Sequence, residues 1–322
     1  MWRTILILVL FQLIRSGESG QRVRALVARR GQFPYHAAIY SPATGDRFAG
    51  ALFSPKHILT AATPFADLKG DLEVYLGAYV LANKKEKDRI NLKITVENNI
   101  IVHEEYDHRW PLVDNIAIIT LDEEVEYTDR IQPILLPPLD EEFIEVVGAP
   151  VHVSGWGARY KRESLSKALN FYNTTIFNYN ICRKLYPIWE RNICINATSK
   201  GLYCVGGWGS PVAADEENGQ KLVGISIEPD SCAHGTAIPN TRVVSYLHWI
   251  ELHTGIKPRR LSTPVVNSMP ITTTTEEPSE PSALEPTERP PPVIDVGDQT
   301  TEPFDFVTLQ HEDANADDSE EP

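Results

Sequence analysis

The sequence predicts an all-β protein that ends in one short helix and an acidic tail. Apolar and polar residues alternate over Leu72–Leu76 and Ile90–Ile101, which is typical of strands with one buried face. A chain of 322 residues is long enough for one large β domain or two small ones. From Ser262 to Pro322 the composition changes to Thr, Pro and Glu, which predicts a segment without a packed core.

The N-terminus predicts a secretory signal peptide over residues 1–20. A basic start at Arg3 is followed by an apolar run from Ile5 to Ile14, then by Arg15 and several small residues. A membrane anchor is disfavoured because a span needs roughly 20 apolar residues, and no later run is long enough. We therefore expect a secreted, extracellular protein without a membrane span.

Because the chain is expected to be secreted, its cysteines predict disulfides and its two sequons predict glycans. Four cysteines predict two disulfides, for which three pairings are possible. A metal site is disfavoured because no Cys-x-x-Cys spacing occurs. The sequons predict glycans on Asn173 and Asn196.

Charge excludes one class of partner. The tail from residue 262 onward holds 15 acidic side chains and one arginine, which accounts for the whole net charge of −14. The rest of the chain is electrically balanced and offers no basic excess for nucleic acid. No motif predicts a metal or another cofactor.

Four segments carry a family resemblance, and they occur in the family's order: Phe48–Pro64, Asp114–Leu121, Val151–Gly157 and Cys204–Val212. Together they resemble the trypsin-like (chymotrypsin-fold) serine proteases over about residues 22–255. The resemblance implies two six-stranded antiparallel β-barrels followed by a C-terminal helix. It is closest to the catalytically inactive serine protease homologues that arthropods secrete.

The catalytic triad of the family is degenerate in this chain. Trp208 stands at the position of the nucleophilic serine, Thr63 at that of the general-base histidine, and Asn115 at that of the aspartate. An indole has no nucleophilic atom for acyl transfer, and loss of nucleophile and base costs about 10⁶ in rate. The resemblance therefore implies a pseudoprotease with no catalytic residue.

The features that activate the family's proteases are also missing. The family buries a new N-terminal ammonium against an aspartate, but Arg22 and Gly207 stand at the two positions. The loss of both the ammonium and the aspartate is consistent, because either charge buried without the other would destabilise the fold. No pro-segment precedes Arg22, so we expect no activation switch.

The resemblance also assigns disulfides and the specificity pocket. It implies the pairs Cys182–Cys194 and Cys204–Cys232. A third family disulfide is absent, because Phe48 and Pro64 replace its cysteines, and packing of Phe48 can compensate. Three further positions line the family's specificity pocket, where bulkier side chains predict a largely filled pocket: Leu202, Glu228 and Ile238.

The chain ends with a helix and a tail. From Thr241 the predicted helix places Val243, Leu247 and Ile250 on one face and stops at Gly255. We expect a protease-homologue domain over residues 21–256 and a disordered Pro/Thr/Glu-rich acidic tail over residues 257–322. The tail suits O-glycosylation or a plain spacer equally well.

Binding is the function that these features predict. Inactive homologues of this kind act as cofactors or decoys in extracellular proteolytic cascades, so the expected partners are active proteases or their inhibitors. Two alternatives stay open. One is a serine endopeptidase with a rearranged site that uses Ser210 or a bound ion. The other is a function of the acidic tail, with the folded domain as a passive head.

Overall fold

A computed structural model describes residues 25–109, 113–141, 146–157, 167–197, 207–227 and 237–260. Three segments singled out above therefore lie outside the described residues: the signal peptide, the pair Cys204–Cys232, and the tail beyond Arg260. The described residues contain no helix that is long and apolar enough to cross a membrane.

Within the described residues, fourteen strands make up two antiparallel sheets. They are β1 (Leu26–Val27), β2 (His36–Tyr40), β3 (Arg47–Leu52), β4 (His57–Thr60), β5 (Asp71–Leu76), β6 (Ile90–Thr95), β7 (Ile100–Val102), β8 (Ala117–Thr120), β9 (Pro150–Gly155), β10 (Asn170–Thr175), β11 (Asn192–Asn196), β12 (Pro211–Glu216), β13 (Gly219–Ser226) and β14 (Ala237–Arg242). The helices are α1 (Val96–Asn99), α2 (Tyr179–Cys182) and α3 (Leu247–Thr254). The predicted all-β fold class is confirmed.

The first sheet has the order β6-β5-β2-β3-β4-β8-β7. Its two edge strands, β6 and β7, are consecutive in the sequence and are joined only by the single helical turn α1. The sheet must therefore curl until its edges meet at that turn, which leaves few backbone groups unpaired at an edge.

The sequence predicts one strand over Ile90–Ile101, whereas the structure interrupts it. Asn99 is buried, and its side-chain oxygen accepts the backbone N–H of Thr95 at 2.9 Å. Its amide nitrogen donates to the backbone oxygen of Thr120 and to Asp122. These bonds replace ladder bonds that the interrupted strand gives up, so the sheet has seven strands where the family resemblance implies six.

The second sheet has the order β1-β10-β9-β12-β13-β14-β11. An antiparallel bridge between Ile176 and Ile195 connects the end of β10 to β11 and closes six strands on themselves. The short strand β1 pairs with β10 from outside, and this raises the count to seven.

Both faces of the central strands are buried. Adjacent residues of a strand point to opposite faces, yet Ile58 and Leu59 in β4 and Ile118 and Ile119 in β8 are all fully buried. One face lines the barrel interior and the other is covered by neighbouring segments. Burial of such side chains stabilises the fold by about 1.5–3 kcal/mol each.

The C-terminal helix lies where the sequence predicts it. A 3₁₀ turn over Val243–Tyr246 leads into α3, and Val243, Leu247 and Ile250 are buried. Gly255 ends the helix in the left-handed conformation (φ 73°), and its N–H donates to Glu251 O at 2.8 Å. This is the common glycine C-cap.

Candidate functional site: a degenerate triad and an aromatic plug

Thr63 and Asn115 lie side by side at the junction of the barrels. Thr63 begins the 3₁₀ turn that follows β4, and Asn115 precedes β8. The side-chain oxygen of Asn115 accepts the backbone N–H groups of Ala62 (2.8 Å) and Thr63 (3.0 Å). Its amide nitrogen donates to Thr63 Oγ1 at 2.6 Å. The positions that resemble the base and the acid of a triad are therefore in direct contact.

A phenol completes this hydrogen-bonded set. Tyr106 OH lies 3.0 Å from Thr63 Oγ1, and burial raises the pKa of Tyr106. The set of Asn115, Thr63 and Tyr106 thus holds an amide, an alcohol and a phenol. None of these three groups accepts a proton near neutral pH.

Asn115 is also held from the second barrel. Thr241 Oγ1, at the end of β14, donates to the backbone oxygen of Asn115 at 2.7 Å. Both residues are buried. The contact fixes Asn115 to a rigid strand and keeps its amide aimed at Thr63.

The loop that carries Trp208 is anchored through its backbone. Ala49 N donates to Trp208 O at 2.9 Å, and Gly209 N donates to Ser226 O at 2.7 Å. Gly209 has φ 86°, and a Cβ there would lie 1.9 Å from Ala49 O. Only glycine fits this approach, so Gly209 fixes the course of the loop directly after Trp208.

The Trp208 ring belongs to an aromatic cluster, which we call the plug: Phe48, Phe65 and Trp208. The Phe48 ring lies 5.8 Å from that of Phe65 and 6.4 Å from that of Trp208. Both phenylalanines are buried and Trp208 is half-buried. Phe48 therefore packs against two aromatic rings, whereas its compensation for a missing family disulfide stays a prediction.

A sequence-model match decides the family. The model of the family described as Trypsin matches residues 23–250. The chain belongs to the trypsin family.

Individual proteins are similar to this chain over about 70% of its length. Chymotrypsin-2 of Vespa crabro is 29% identical over 226 residues, which are 70% of this chain and 95% of that protein. The Proclotting enzyme of Tachypleus tridentatus is 27% identical over 241 residues, covering 69% of this chain and 63% of that protein. Glucanase inhibitor protein 1 of Phytophthora infestans is 28% identical over 247 residues, which are 72% of this chain and 90% of that protein. This chain is therefore a serine-protease-type protein.

Ser210 does not form a displaced version of the trypsin-family triad with a histidine. It is fully buried, and its Oγ has no hydrogen-bond partner among the described residues. Two other serines of the described residues do contact histidines. Ser54 Oγ lies 2.8 Å from His57 Nδ1, and Ser154 Oγ lies 2.9 Å from His36 Nδ1.

Neither Ser–His contact has the surroundings of a catalytic pair. Ser54 Oγ also accepts the N–H of Lys56 at 3.2 Å, so this contact belongs to the tight turn between β3 and β4. His36 and Ser154 are both buried, and burial lowers the pKa of His36 to about 3. No described carboxylate bonds to the free nitrogen of either histidine, whereas the triad needs an acid there.

Three further histidines are candidate bases in a rearranged site, and they lie apart. His103 Nδ1 accepts the N–H of Glu105, and burial lowers the pKa of His103. His108 is exposed beside Asp107. His152 lies between the barrels, 3.3 Å from Tyr35 OH, and burial lowers its pKa. None of them contacts Ser210.

Asp114, one residue before the triad position, has a structural partner. Its Oδ1 lies 2.7 Å from Arg191 Nη1 and accepts the hydroxyl of Tyr246 at 3.0 Å. His103, Glu105 and Asp114 come close enough to hold a metal ion. Arg191 also reaches Glu105 at 3.2 Å, however, so a guanidinium already supplies the positive charge. Sequence reasoning missed this ion pair, because 77 residues separate its two members.

The remaining predicted site residues divide into described and undescribed ones. Cys182 in α2 and Cys194 in β11 form a disulfide with a Cα–Cα distance of 6.5 Å. Ile238 is buried in β14 opposite Ile195. Leu202 and Glu228 lie outside the described residues, so the filled specificity pocket stays a prediction.

Proposed function

We propose that this chain is a secreted, catalytically inactive member of the trypsin family that acts by binding other proteins. Its role is that of a regulator or cofactor in an extracellular proteolytic cascade, and its partners are active proteases or their inhibitors. The observation that carries the proposal is the hydrogen bond from the Asn115 amide to the Thr63 hydroxyl. In an active site of the family type, a general base would have to stand where the Thr63 hydroxyl stands.

The position of Trp208 supports the same proposal. Its backbone lies on the loop that presents the nucleophile in the family, but its side chain packs on Phe48. Nucleophile and base are thus both replaced, and each loss alone costs about 10⁶ in rate. The rigid barrels and their loops remain available as a binding scaffold.

The names of two relatives support binding and an extracellular cascade. One is named an inhibitor of a glucanase and another a proclotting enzyme. A protein similar to this chain is accordingly named for inhibition. Secretion rests on the predicted signal peptide over residues 1–20, before the domain of residues 21–256 and the acidic tail of residues 257–322.

Both sequon asparagines lie in the described domain. Asn173 is exposed in β10, where a glycan meets solvent. Asn196 lies next to that sequon, and its side-chain nitrogen donates to Thr175 Oγ1 at 2.6 Å. We propose glycans on both asparagines, which deglycosylation of the secreted protein detects as two losses of mass.

The decisive experiment treats the secreted, full-length protein with a serine-directed fluorophosphonate probe beside active trypsin. We expect trypsin to be labelled and this chain not. Labelling mapped to Ser210, Ser54 or Ser154 would instead establish the alternative, a serine endopeptidase with a rearranged site. Covalent cross-linking in the native secreted fluid then identifies partners, and recovery of neither a protease nor a protease inhibitor would contradict the regulatory role.

A further inference from the structure

A cavity of about 560 Å³ opens beside the Trp208 loop. Both barrels contribute to it, and Gly207 and Ser210, on either side of Trp208, lie in its wall. The rest of the wall is mainly apolar and aromatic: Ile39, Tyr40, Phe48, Tyr75, Leu81 and Trp156. Its volume is typical of a site for a small organic ligand.

The cavity is built on a fixed frame. Val80 and Ala168 form an antiparallel backbone bridge between the two barrels beside it. Trp156 Nε1 donates to Tyr79 O at 3.0 Å, and Leu169 N donates to the same oxygen at 2.9 Å. The apolar wall is therefore formed before any ligand binds, which keeps the entropic cost of binding low.

Positive charge lies along the rim. Arg47, Lys84 and Lys167 line the cavity and are exposed. None of the three makes an ion pair with a described residue, and no described lining residue is acidic. The carboxylate of Glu73 accepts the Tyr75 hydroxyl, but Glu73 does not line the cavity.

We propose that this cavity binds an amphipathic carboxylate, a small molecule with an apolar body and one anionic head group. The aromatic wall removes the apolar body from water, and the three cations at the rim pair with the carboxylate. A cationic ligand would meet like charges and find no acidic partner among the described lining residues. The site is independent of the proposed loss of catalysis, because it uses no triad position.

Calorimetric titration with decanoate tests the proposal on the full-length protein. Decylammonium, which has the same chain and the opposite charge, is the matched control ligand. We expect decanoate to bind at least about ten-fold more tightly than decylammonium, because one charge pair in a partly desolvated site is worth that ratio or more. Equal affinity for the two ligands, or no binding of decanoate, would overturn the proposal.

Charge-reversal variants locate the head group. The double variant Lys84→Glu/Lys167→Glu should weaken decanoate binding at least ten-fold and make decylammonium the preferred ligand. Lys184→Glu, which changes an exposed lysine after α2 that does not line the cavity, is the matched control and should leave both affinities unchanged. An equal loss in the control would show unspecific attraction to a basic surface and contradict the site.

A variant with a larger side chain in the cavity wall tests the apolar half of the site. A Cβ on Gly207 would meet no described atom closer than Arg47 O at 4.0 Å, so the side chain that Gly207→Leu adds begins in open space beside the cavity. We expect this folded variant to lose decanoate binding. If it fails to fold, a diazirine-bearing decanoate on the unaltered protein decides the question. Cross-links at Leu81, Lys84 or Trp156 support the site, and cross-links only elsewhere refute it.

Discussion

The ring of Trp208 lies 6.4 Å from the ring of Phe48. The family resemblance predicts that Trp208 stands at the nucleophile position and that Phe48 stands at a half-cystine position of a family disulfide. The two substitutions therefore form one contact, which Phe65 extends on the other side of Phe48. The packing of the plug therefore joins the side chains at these two predicted positions.

Trp208→Ser should destabilise the domain. Full removal of a buried aromatic ring costs about 3–5 kcal/mol, and Trp208 is half-buried, so we expect the free energy of unfolding to fall by about 1–3 kcal/mol. Urea denaturation followed by circular dichroism measures the change.

Trp189→Ser is the matched control for this measurement. Trp189 is 65% exposed, so the same substitution there should change the free energy of unfolding by less than about 0.5 kcal/mol. A Trp208→Ser variant as stable as the original protein would contradict the structural role of the plug.

Restoring the three family residues should restore reactivity, and the reaction rate should depend on the residue at position 115. We expect Thr63→His/Asn115→Asp/Trp208→Ser to react with a fluorophosphonate, because Asn115 already receives the backbone N–H groups that fix a triad acid. The double variant that keeps Asn115 should react about 10⁴-fold more slowly, because an asparagine selects the wrong histidine tautomer. Labelling rates measure both.

The unaltered protein and Thr63→His alone are the controls, and neither should be labelled. Labelling of the unaltered protein at the rate of the triple variant would refute the inactive-enzyme proposal. A folded triple variant that does not react would show that more than the triad has been lost.

The ion pair of Asp114 and Arg191 should contribute more to the free energy of unfolding than the exposure of Arg191 suggests. Asp114 is buried and has φ 49°, while the Arg191 side chain is 49% exposed. Arg191→Met leaves a buried carboxylate whose remaining side-chain hydrogen bond among the described residues comes from Tyr246, so we expect a loss of about 2 kcal/mol, below the 3–5 kcal/mol of a fully buried pair. Chemical denaturation gives the value.

A double-mutant cycle supplies the control. Asn tolerates a positive φ, so Asp114→Asn/Arg191→Met should cost less than the sum of its single changes. Arg109→Met, which breaks a solvent-exposed pair with Asp107, should leave the free energy of unfolding nearly unchanged. Additive effects at Asp114 and Arg191 would contradict the coupling.

Sequence patterns predicted the all-β fold because its strands and turns are fixed locally, while the triad positions stay a prediction from the family resemblance. Gly209 has to be glycine to pass Ala49, and the apolar face of α3 has helical spacing, so both features are visible in the sequence. The interruption of the strand at Asn99 was not predicted. It depends on the bond of Asn99 to Thr120, 21 residues away.

The plug and the cavity were not predictable either, because they also depend on contacts between residues that lie far apart in the sequence. The plug joins Phe48 to Trp208, and the cavity joins Leu81 to Trp156, across distances in the sequence that no periodic pattern covers. Degenerate motifs reveal which side chains have been lost. What the replacing side chains pack against depends on tertiary structure alone.

Acid should destabilise the protein through His36. Burial lowers its pKa from about 6.5 to about 3, so the unfolded chain binds a proton before the folded one does. The contribution of neutral His36 is complete above pH 6.5 and is lost as the pH falls towards 3. Between pH 7.5 and 5.0 we expect this residue alone to lower the free energy of unfolding by about 2 kcal/mol, at about 1.4 kcal/mol per pH unit below 6.5.

His36→Gln isolates that contribution, because a glutamine amide can still bond to Ser154 Oγ but does not titrate. The variant should lose about 2 kcal/mol less than the original protein between the two pH values, measured by urea denaturation. His248→Gln is the matched control, since the His248 ring is 78% exposed and has a solvated environment in both states. An acid dependence that is the same with and without His36 would show that this histidine is protonated in the folded protein.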